Sequence, residues 1–186
     1  MFPARMPSRT ICVPPVSSLG QTLILNQQRK YAINSSRLGE YASELRRALR
    51  LGKREWNVCF VDDRHMERLN SLYRRKDYPT DVLSFPWKAT QTPFSRRALG
   101  ERPRARRSSR SADERAGLEF KLFLGDIVIS VDSAKRNARK AGHSTLNEIR
   151  WLILHGLLHL LGYDHEADRG EMTRLELALR RRLSIS

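Results

Sequence analysis

Residues 145–165 read TLNEIRWLILHGLLHLLGYDH, and this stretch decides most of what can be predicted about the fold. Between Trp151 and Gly162 every residue is apolar except two histidines. A helix formed by this run would be apolar on nearly every face, which is typical of a helix buried in the centre of a domain. The run is shorter than the roughly 20 apolar residues that span a membrane, so we expect a soluble protein with no membrane partner.

Local signals mark both ends of this predicted helix. Thr145, with Glu148 three residues later, fits a capping box, in which the two side chains accept hydrogen bonds from free backbone N–H groups at the helix start. At the other end, Gly162 can adopt the left-handed conformation that terminates helices. The pattern therefore predicts a helix from Thr145 to Leu161, followed by a turn.

Three histidines in this stretch form a predicted metal site. His155 and His159 are four residues apart, so a helix places them on one face, one turn apart. The turn after the helix can bring His165 back toward them. Three neutral imidazoles suit Zn²⁺ and leave a fourth tetrahedral position for water, whose pKa falls to about 7 on zinc. Because two buried polar rings without partners would be costly, we interpret the cluster as the zinc site of a hydrolase.

The residue after the first histidine separates two kinds of zinc site. Zinc peptidases carry a glutamate there as general base, whereas this chain has Gly156. A peptidase is therefore the less favoured alternative. A structural zinc is a further alternative, although such sites usually have four protein ligands, mostly cysteine.

The rest of the chain reads as a single α+β domain without internal repeats. Apolar, β-rich runs predict four strands, and 3.6-residue periodicity predicts further helices. The predicted strands lie at 22–26, 56–61, 81–85 and 122–130, and the additional helices at 38–51, after Asp62 or Asp63, at 132–141 and at about 169–183.

Two segments are predicted to lie outside this core. Residues 1–20 contain four prolines and no acid, and we expect a disordered N-terminal extension before a domain at 21–183. Residues 88–120 form an arginine-rich insertion that cannot bury a core, so we expect disorder there as well. These segments contribute +2 and +5 to the formal net charge of +15, which leaves the predicted domain basic in its own right. RNA, DNA or an anionic membrane would each suit such a charge.

Cysteine content and the N-terminus bear on the compartment. Cys12 and Cys59 are the only cysteines, too few for a disulfide framework or a cysteine-rich zinc site, which fits a reducing environment. We expect a cytoplasmic protein. An organellar location is the alternative if residues 1–20 are a transit peptide, since they are rich in Arg and Ser and lack acids.

Three blocks together carry a resemblance to a known family. They are HGLLHLLGYDH at 155–165, YRRKDYPTDVLSFP at 73–86 and LGDIVIS at 124–130. In their order and spacing they resemble the YbeY-type endoribonucleases, or rRNA maturation factors, over about residues 21–182. The arginine-rich insertion is longer than that pattern expects, and the first 20 residues look added.

The resemblance implies an α+β fold with a small mixed four-stranded sheet packed by about five to six helices. It implies a metal, usually zinc, at His155, His159 and His165, and a functionally important Arg74. An arginine beside a metal can hold a phosphate through two hydrogen bonds. The implied activity is metal-dependent cleavage of single-stranded RNA, in maturation of the small-subunit rRNA 3′ end and ribosome quality control.

Some assignments stay open at this point. Asp126, Asp164 and Glu166 are candidates for a general base, and either of the last two could instead orient a ligand histidine. A ribosome-assembly factor that binds RNA, with a zinc that only stabilises the last two helices, is the main alternative to a nuclease.

Overall fold

The computed structural model describes residues 22–87, 122–165 and 168–185, and within these ranges the chain forms four strands and five helices. The strands are β1 (Leu23–Asn26), β2 (Glu55–Val61), β3 (Val82–Pro86) and β4 (Phe123–Ser130). The helices are α1 (Ser35–Ala48), α2 (Asp63–Arg74), α3 (Val131–Ala141), α4 (Thr145–Leu160) and α5 (Glu171–Arg182). The predicted extension at 1–20 and the predicted insertion at 88–120 lie outside the described residues.

The four strands form one mixed sheet in the order β1-β2-β4-β3. β1, β2 and β4 are parallel, whereas β3 is an antiparallel edge strand paired with β4. Every residue of the central strand β4 is buried, because helices cover both of its faces. The predicted α+β fold with a mixed four-stranded sheet is confirmed.

The two faces of the sheet bury different helices. Side chains alternate along a strand, so neighbouring residues contribute to opposite faces. Ile127 of β4 packs in the larger core with residues of α1 and α4, whereas Val128 packs in a smaller core with Met66 of α2. The helix that carries the histidines therefore lies on the opposite side of the sheet from α2.

Gly125 is required by the contact between β3 and β4. Its φ is +139°, and a Cβ built there would lie 2.1 Å from the backbone oxygen of Phe85. Only glycine fits such a close approach between two strands. The glycine of the LGDIVIS block thus serves strand pairing rather than chemistry.

The predicted capping box at the start of α4 is wrong. The cap is Ser144, one residue earlier, whose side chain accepts a hydrogen bond from the backbone N–H of Asn147 at 3.1 Å. Glu148 does not reach back to the backbone; it is fully buried, with Oε2 3.1 Å from Nε2 of His143. The error arose because Ser144 and Thr145 are both good cap residues, and only the backbone shows which one precedes the helix.

Helix boundaries elsewhere differ from the periodicity by a few residues. α1 begins at Ser35 rather than near Leu38, because Asn34 caps it by accepting the N–H of Arg37. α5 begins at Glu171, after Asp168 has accepted backbone N–H groups near its start. Cap residues lie outside the apolar periodic pattern, so the pattern alone misplaces such ends.

Candidate metal centre

The imidazoles of His155 and His159 converge on the same point beside α4. Their Nε2 atoms lie 3.2 Å apart, and their ring centroids are 4.8 Å apart. This follows from their spacing of four residues, which stacks side chains one turn apart on the same face of a helix. Both residues are only partly buried, although most of α4 is buried. The pair is therefore accessible from the surface of the domain.

The other nitrogen of each ring is held by a specific partner. His155 Nδ1 lies 3.0 Å from Oε2 of Glu176, on α5, and His159 Nδ1 lies 3.0 Å from the backbone oxygen of Tyr163. A carbonyl and a carboxylate can only accept, so each Nδ1 carries the proton. In the neutral rings both Nε2 atoms are then unprotonated, and two lone pairs face each other across 3.2 Å.

A tight turn brings the third histidine to the pair. The backbone N–H groups of Gly162 and Tyr163 donate to the carbonyls of His159 and Leu158 at 3.0 and 3.1 Å, and Gly162 has a φ of +89°. These two bonds form the Schellman motif that ends helices at a left-handed glycine. The chain reverses there, and the His165 ring lies 5.4 Å from that of His159, centroid to centroid.

The three histidines fit a divalent metal ion. Their candidate ligand atoms all lie within 4.8 Å of one another, and the exposed ring of His165 can rotate to shorten its distances. Two nitrogens bound to zinc at tetrahedral angles would be separated by about 3.3 Å, close to the 3.2 Å between the Nε2 atoms of His155 and His159. A cation between the facing lone pairs also removes their repulsion. The predicted ligand set is thus brought together in one cluster that could hold a metal.

Electrostatics favour the form of His159 that binds metal. Burial lowers the pKa of His159 below its ordinary value, and the neighbouring His155 and His165 lower it further. Burial alone would raise the pKa of Glu176, but hydrogen bonds from His155 and Trp151 outweigh it and lower that pKa. A neutral imidazole at His159 and a charged carboxylate at Glu176 follow at neutral pH.

Glu176 and Trp151 belong to the site but were missed by sequence reasoning. Trp151 Nε1 donates to Oε1 of Glu176, the carboxylate whose other oxygen holds His155. One signal was present in the sequence. Glu176 follows Met172 by four residues and precedes Leu179 by three, so it lies on the apolar face of α5. An acid at a core-facing position requires a partner, and here the partners are on α4.

Arg74, the predicted catalytic arginine, is exposed at the last position of α2. Its neighbour Tyr73 packs edge-on against Phe85 of β3, with ring centroids 5.0 Å apart. Ser84, the preceding residue of β3, faces the other way and donates a hydrogen bond to the Gly156 carbonyl at 3.2 Å. α2, through Tyr73, and α4, through Gly156, therefore contact neighbouring residues of the edge strand from opposite faces of the sheet. The catalytic role of Arg74 stays a prediction.

The three carboxylates considered as general base lie in different places relative to the histidine cluster. Asp126 is buried and accepts a hydrogen bond from Asn57 at 2.8 Å. Because it alternates with Ile127 along β4, its side chain lies on the face of the sheet away from α4. Asp164 lies in the turn beside the cluster, and its charge partly offsets the lowering of the His159 pKa. Glu166 lies outside the described residues.

Gly156 occupies the place where a zinc peptidase has its glutamate, and packing explains the glycine. A Cβ at this position would lie 2.8 Å from Cγ2 of Ile127 and 3.0 Å from Oγ of Ser84. α4 therefore lies close against the sheet between the two histidines. A glutamate side chain at this position has no room on the sheet side of the helix.

The comparisons with known proteins agree with this arrangement. The family model described as Endoribonuclease YbeY matches residues 23–184, a span that includes all five helices, all four strands and the histidine cluster. The chain belongs to this family. The resemblance to this family is confirmed, and with it the prediction of an enzyme of the endoribonuclease class.

Three relatives named endoribonuclease YbeY illustrate the similarity. The Aquifex aeolicus protein is 38% identical over 77% of this chain and 77% of its own length. The protein from Pelotomaculum thermopropionicum is 36% identical over 88% of this chain and 97% of its own length, and the one from Sulfurovum sp. is 40% identical over 68% and 70%. Each relative is matched over more than two thirds of its length, so the YbeY assignment concerns most of the protein.

A solved structure shares the fold. The solution structure of TM1509 from Thermotoga maritima has a TM-score of 0.54 to this chain, covering 87% of it and 88% of the other chain at 23% sequence identity. At that identity the likeness concerns the fold alone.

No helix in the described part of the chain is long and apolar enough to cross a membrane.

Proposed function

We propose that this protein is a zinc-dependent endoribonuclease that cleaves single-stranded RNA in maturation of the small-subunit rRNA 3′ end and in ribosome quality control. The observation that carries the proposal is the convergence of two unprotonated Nε2 atoms, 3.2 Å apart, with His165 beside them. Membership of the YbeY family supports RNA as the substrate class, and the net charge of +15 suits a polyanion. We expect it to act in the cytoplasm.

Each residue has a distinct task in this proposal. His155, His159 and His165 would hold the ion, and Glu176 and the Tyr163 carbonyl would fix two of the rings in the tautomer that binds metal. When bound, zinc would activate a water molecule and polarise a phosphoryl oxygen.

Arg74 would bind the phosphate at the scissile bond. Arg74 is exposed, and its neighbour Tyr73 packs on the edge strand β3, of which Ser84 contacts α4. A long, exposed side chain at this position would reach a phosphate bound near that edge. Its planar donors match two phosphate oxygens, which restrains the substrate and offsets charge that develops during cleavage.

The test is cleavage of an end-labelled single-stranded RNA by the zinc-loaded full chain, its His159→Ala variant and its Arg74→Ala variant. Arg68→Ala is the matched control, since Arg68 is exposed on the same helix. We expect His159→Ala to lose both bound zinc and cleavage, Arg74→Ala to cleave about a hundredfold more slowly with zinc retained, and Arg68→Ala to behave as wild type. Circular dichroism checks that each variant is folded.

Equal cleavage by all variants, or none by the wild type, would contradict a metal-centred nuclease. A ribosome-assembly factor with structural zinc would then lead. One observation favours that alternative: the cluster joins the end of α4 to the following turn, and through Glu176 to α5. It predicts that His159→Ala lowers the melting temperature strongly while Arg74→Ala changes nothing on RNA.

A further inference from the structure

We propose that the segment from Arg74 to Tyr78, between α2 and β3, is a platform on which a base of single-stranded RNA stacks, with Tyr78 as the stacking ring. The proposal rests on the proposed nuclease function and deepens it, because it names a substrate contact away from the metal. Within the described residues Tyr78 is one of three exposed large apolar side chains, with 55% of its surface accessible. A single exposed tyrosine is ordinary, so its surroundings carry the inference.

The first of these surroundings is charge. Arg74, Arg75 and Lys76 are consecutive and all exposed, and the Lys76 ammonium lies 5.9 Å from the centroid of the Tyr78 ring. The one acid of the segment, Asp77, accepts a hydrogen bond from the Ser71 hydroxyl at 2.6 Å. An exposed aromatic ring on a segment rich in cations is a combination that binds single-stranded nucleic acid, since the ring stacks on a base while the cations contact phosphates.

The second feature around Tyr78 is the rigidity of the segment that carries it. The side-chain amide of Asn70, which is 1% exposed, donates to the backbone oxygen of Tyr78 at 2.7 Å. The backbone N–H of Arg75 donates to the Ser71 carbonyl at 3.0 Å, so the segment is bound to the last turn of α2 at both ends. A ring on such a segment is already positioned before RNA arrives, which lowers the entropic cost of binding.

The third is an arginine in a conformation that favours glycine. Arg75 ends α2 with a φ of +56° and ψ of +40°, the left-handed region that is costly for a residue with a Cβ. Glycine would end the helix with less strain, so the chain keeps an exposed cation here against a conformational cost. Arg50 shares this positive φ, so the strain alone assigns no role. The position of Arg75 next to Lys76, in the segment that ends at Tyr78, is what predicts a phosphate contact.

The test measures binding of the zinc-loaded full chain to a fluorescent 2′-O-methyl single-stranded RNA by anisotropy, with electrophoresis to show that the RNA stays intact. Tyr78→Phe keeps the ring and Tyr78→Leu removes it while staying apolar. We expect Tyr78→Phe to bind as the wild type does and Tyr78→Leu to bind about tenfold or more weakly. On an abasic oligonucleotide, wild type and Tyr78→Leu should bind equally, because no base is present to stack.

Arg75→Gly tests the phosphate contact without damaging the fold. It should leave the melting temperature unchanged or higher, weaken RNA binding and reduce the slope of log affinity against log salt by about 0.7. Arg50→Gly is the matched control, since Arg50 is also exposed with a φ of +52° but follows α1. It should bind RNA as the wild type does.

The proposal is overturned if Tyr78→Leu binds base-containing RNA as tightly as wild type, or if its loss is equally large on the abasic strand. Equal losses of RNA affinity in Arg75→Gly and Arg50→Gly would also overturn it, because a positive charge at any exposed position would then account for the binding. The proposed nuclease function fails by a different result, the absence of metal-dependent cleavage in a chain that still binds RNA through Tyr78. The two failures are therefore distinguishable.

Discussion

Glu176 accepts a hydrogen bond from Nδ1 of His155 at 3.0 Å, across 21 residues of sequence. This contact makes a residue of the last helix part of a site that otherwise lies on α4 and the turn after it. The carboxylate fixes both the orientation of the imidazole and the nitrogen that is free to bind a metal.

Glu176→Gln should weaken metal binding by about ten- to a hundredfold, because an amide orients the imidazole less strongly and does not increase its basicity. The measurement is a zinc titration against a chromogenic chelator. Glu67→Gln is the control, since Glu67 is exposed on α2. Equal zinc affinity in Glu176→Gln and wild type would show that the contact does not tune the metal site.

Gly156→Ala should lower the free energy of unfolding by about 1–3 kcal/mol, despite the better helix propensity of alanine, because the new methyl collides with Ile127. Gly39→Ala, in α1, is the opposite case, since nothing lies within 4 Å of its added Cβ. It should raise the free energy of unfolding by up to about 1 kcal/mol. Urea denaturation measures both, and similar shifts in the two variants would mean that α4 can move away from the sheet.

Ser144→Ala should lower the free energy of unfolding by about 1 kcal/mol, since it removes the acceptor for the Asn147 N–H. Thr145→Ala should have a smaller effect, because Thr145 is already inside the helix. Thermal unfolding of the two variants distinguishes the observed cap from the capping box that the sequence suggested. A larger loss of stability in Thr145→Ala than in Ser144→Ala would contradict the observed cap and favour the capping box.

Asp63→Asn should lower stability at neutral pH but not in acid. Partial burial would raise the pKa of Asp63, but hydrogen bonds from Arg136, Ser130 and Ser133 outweigh it, so the folded-state pKa lies below 3.8. A lowered pKa contributes stability above the unfolded-state value, and that contribution is lost as the pH falls through the folded-state value. The difference from wild type should be about 1–2 kcal/mol at pH 7 and should shrink below about pH 4.

Denaturant titrations at several pH values test this dependence. Glu40→Gln, an exposed acid on α1, is the matched control and should show little difference at any pH. A difference between wild type and Asp63→Asn that persists unchanged in acid would mean that the hydrogen bonds do not depend on the charge of Asp63.

The local sequence determined the parts of this protein that depend on short-range geometry. The spacing of His155 and His159 predicts one helical face, and Gly162 predicts the reversal that brings in His165; the structure shows both. The four strands were predicted within a residue or so for the same reason, since apolar runs and turn residues act over a few positions.

Only the tertiary structure decided which distant residues meet. Glu176 could have faced any element until α5 packed against α4, and Asp126 was a candidate base until the pleat of β4 directed it away from the histidines. The preference for glycine at position 156 is equally invisible in the sequence, because it comes from a sheet residue, Ile127, 29 positions earlier. Periodicity fixes the face of an element on which a residue lies, whereas packing between elements fixes what that face contacts.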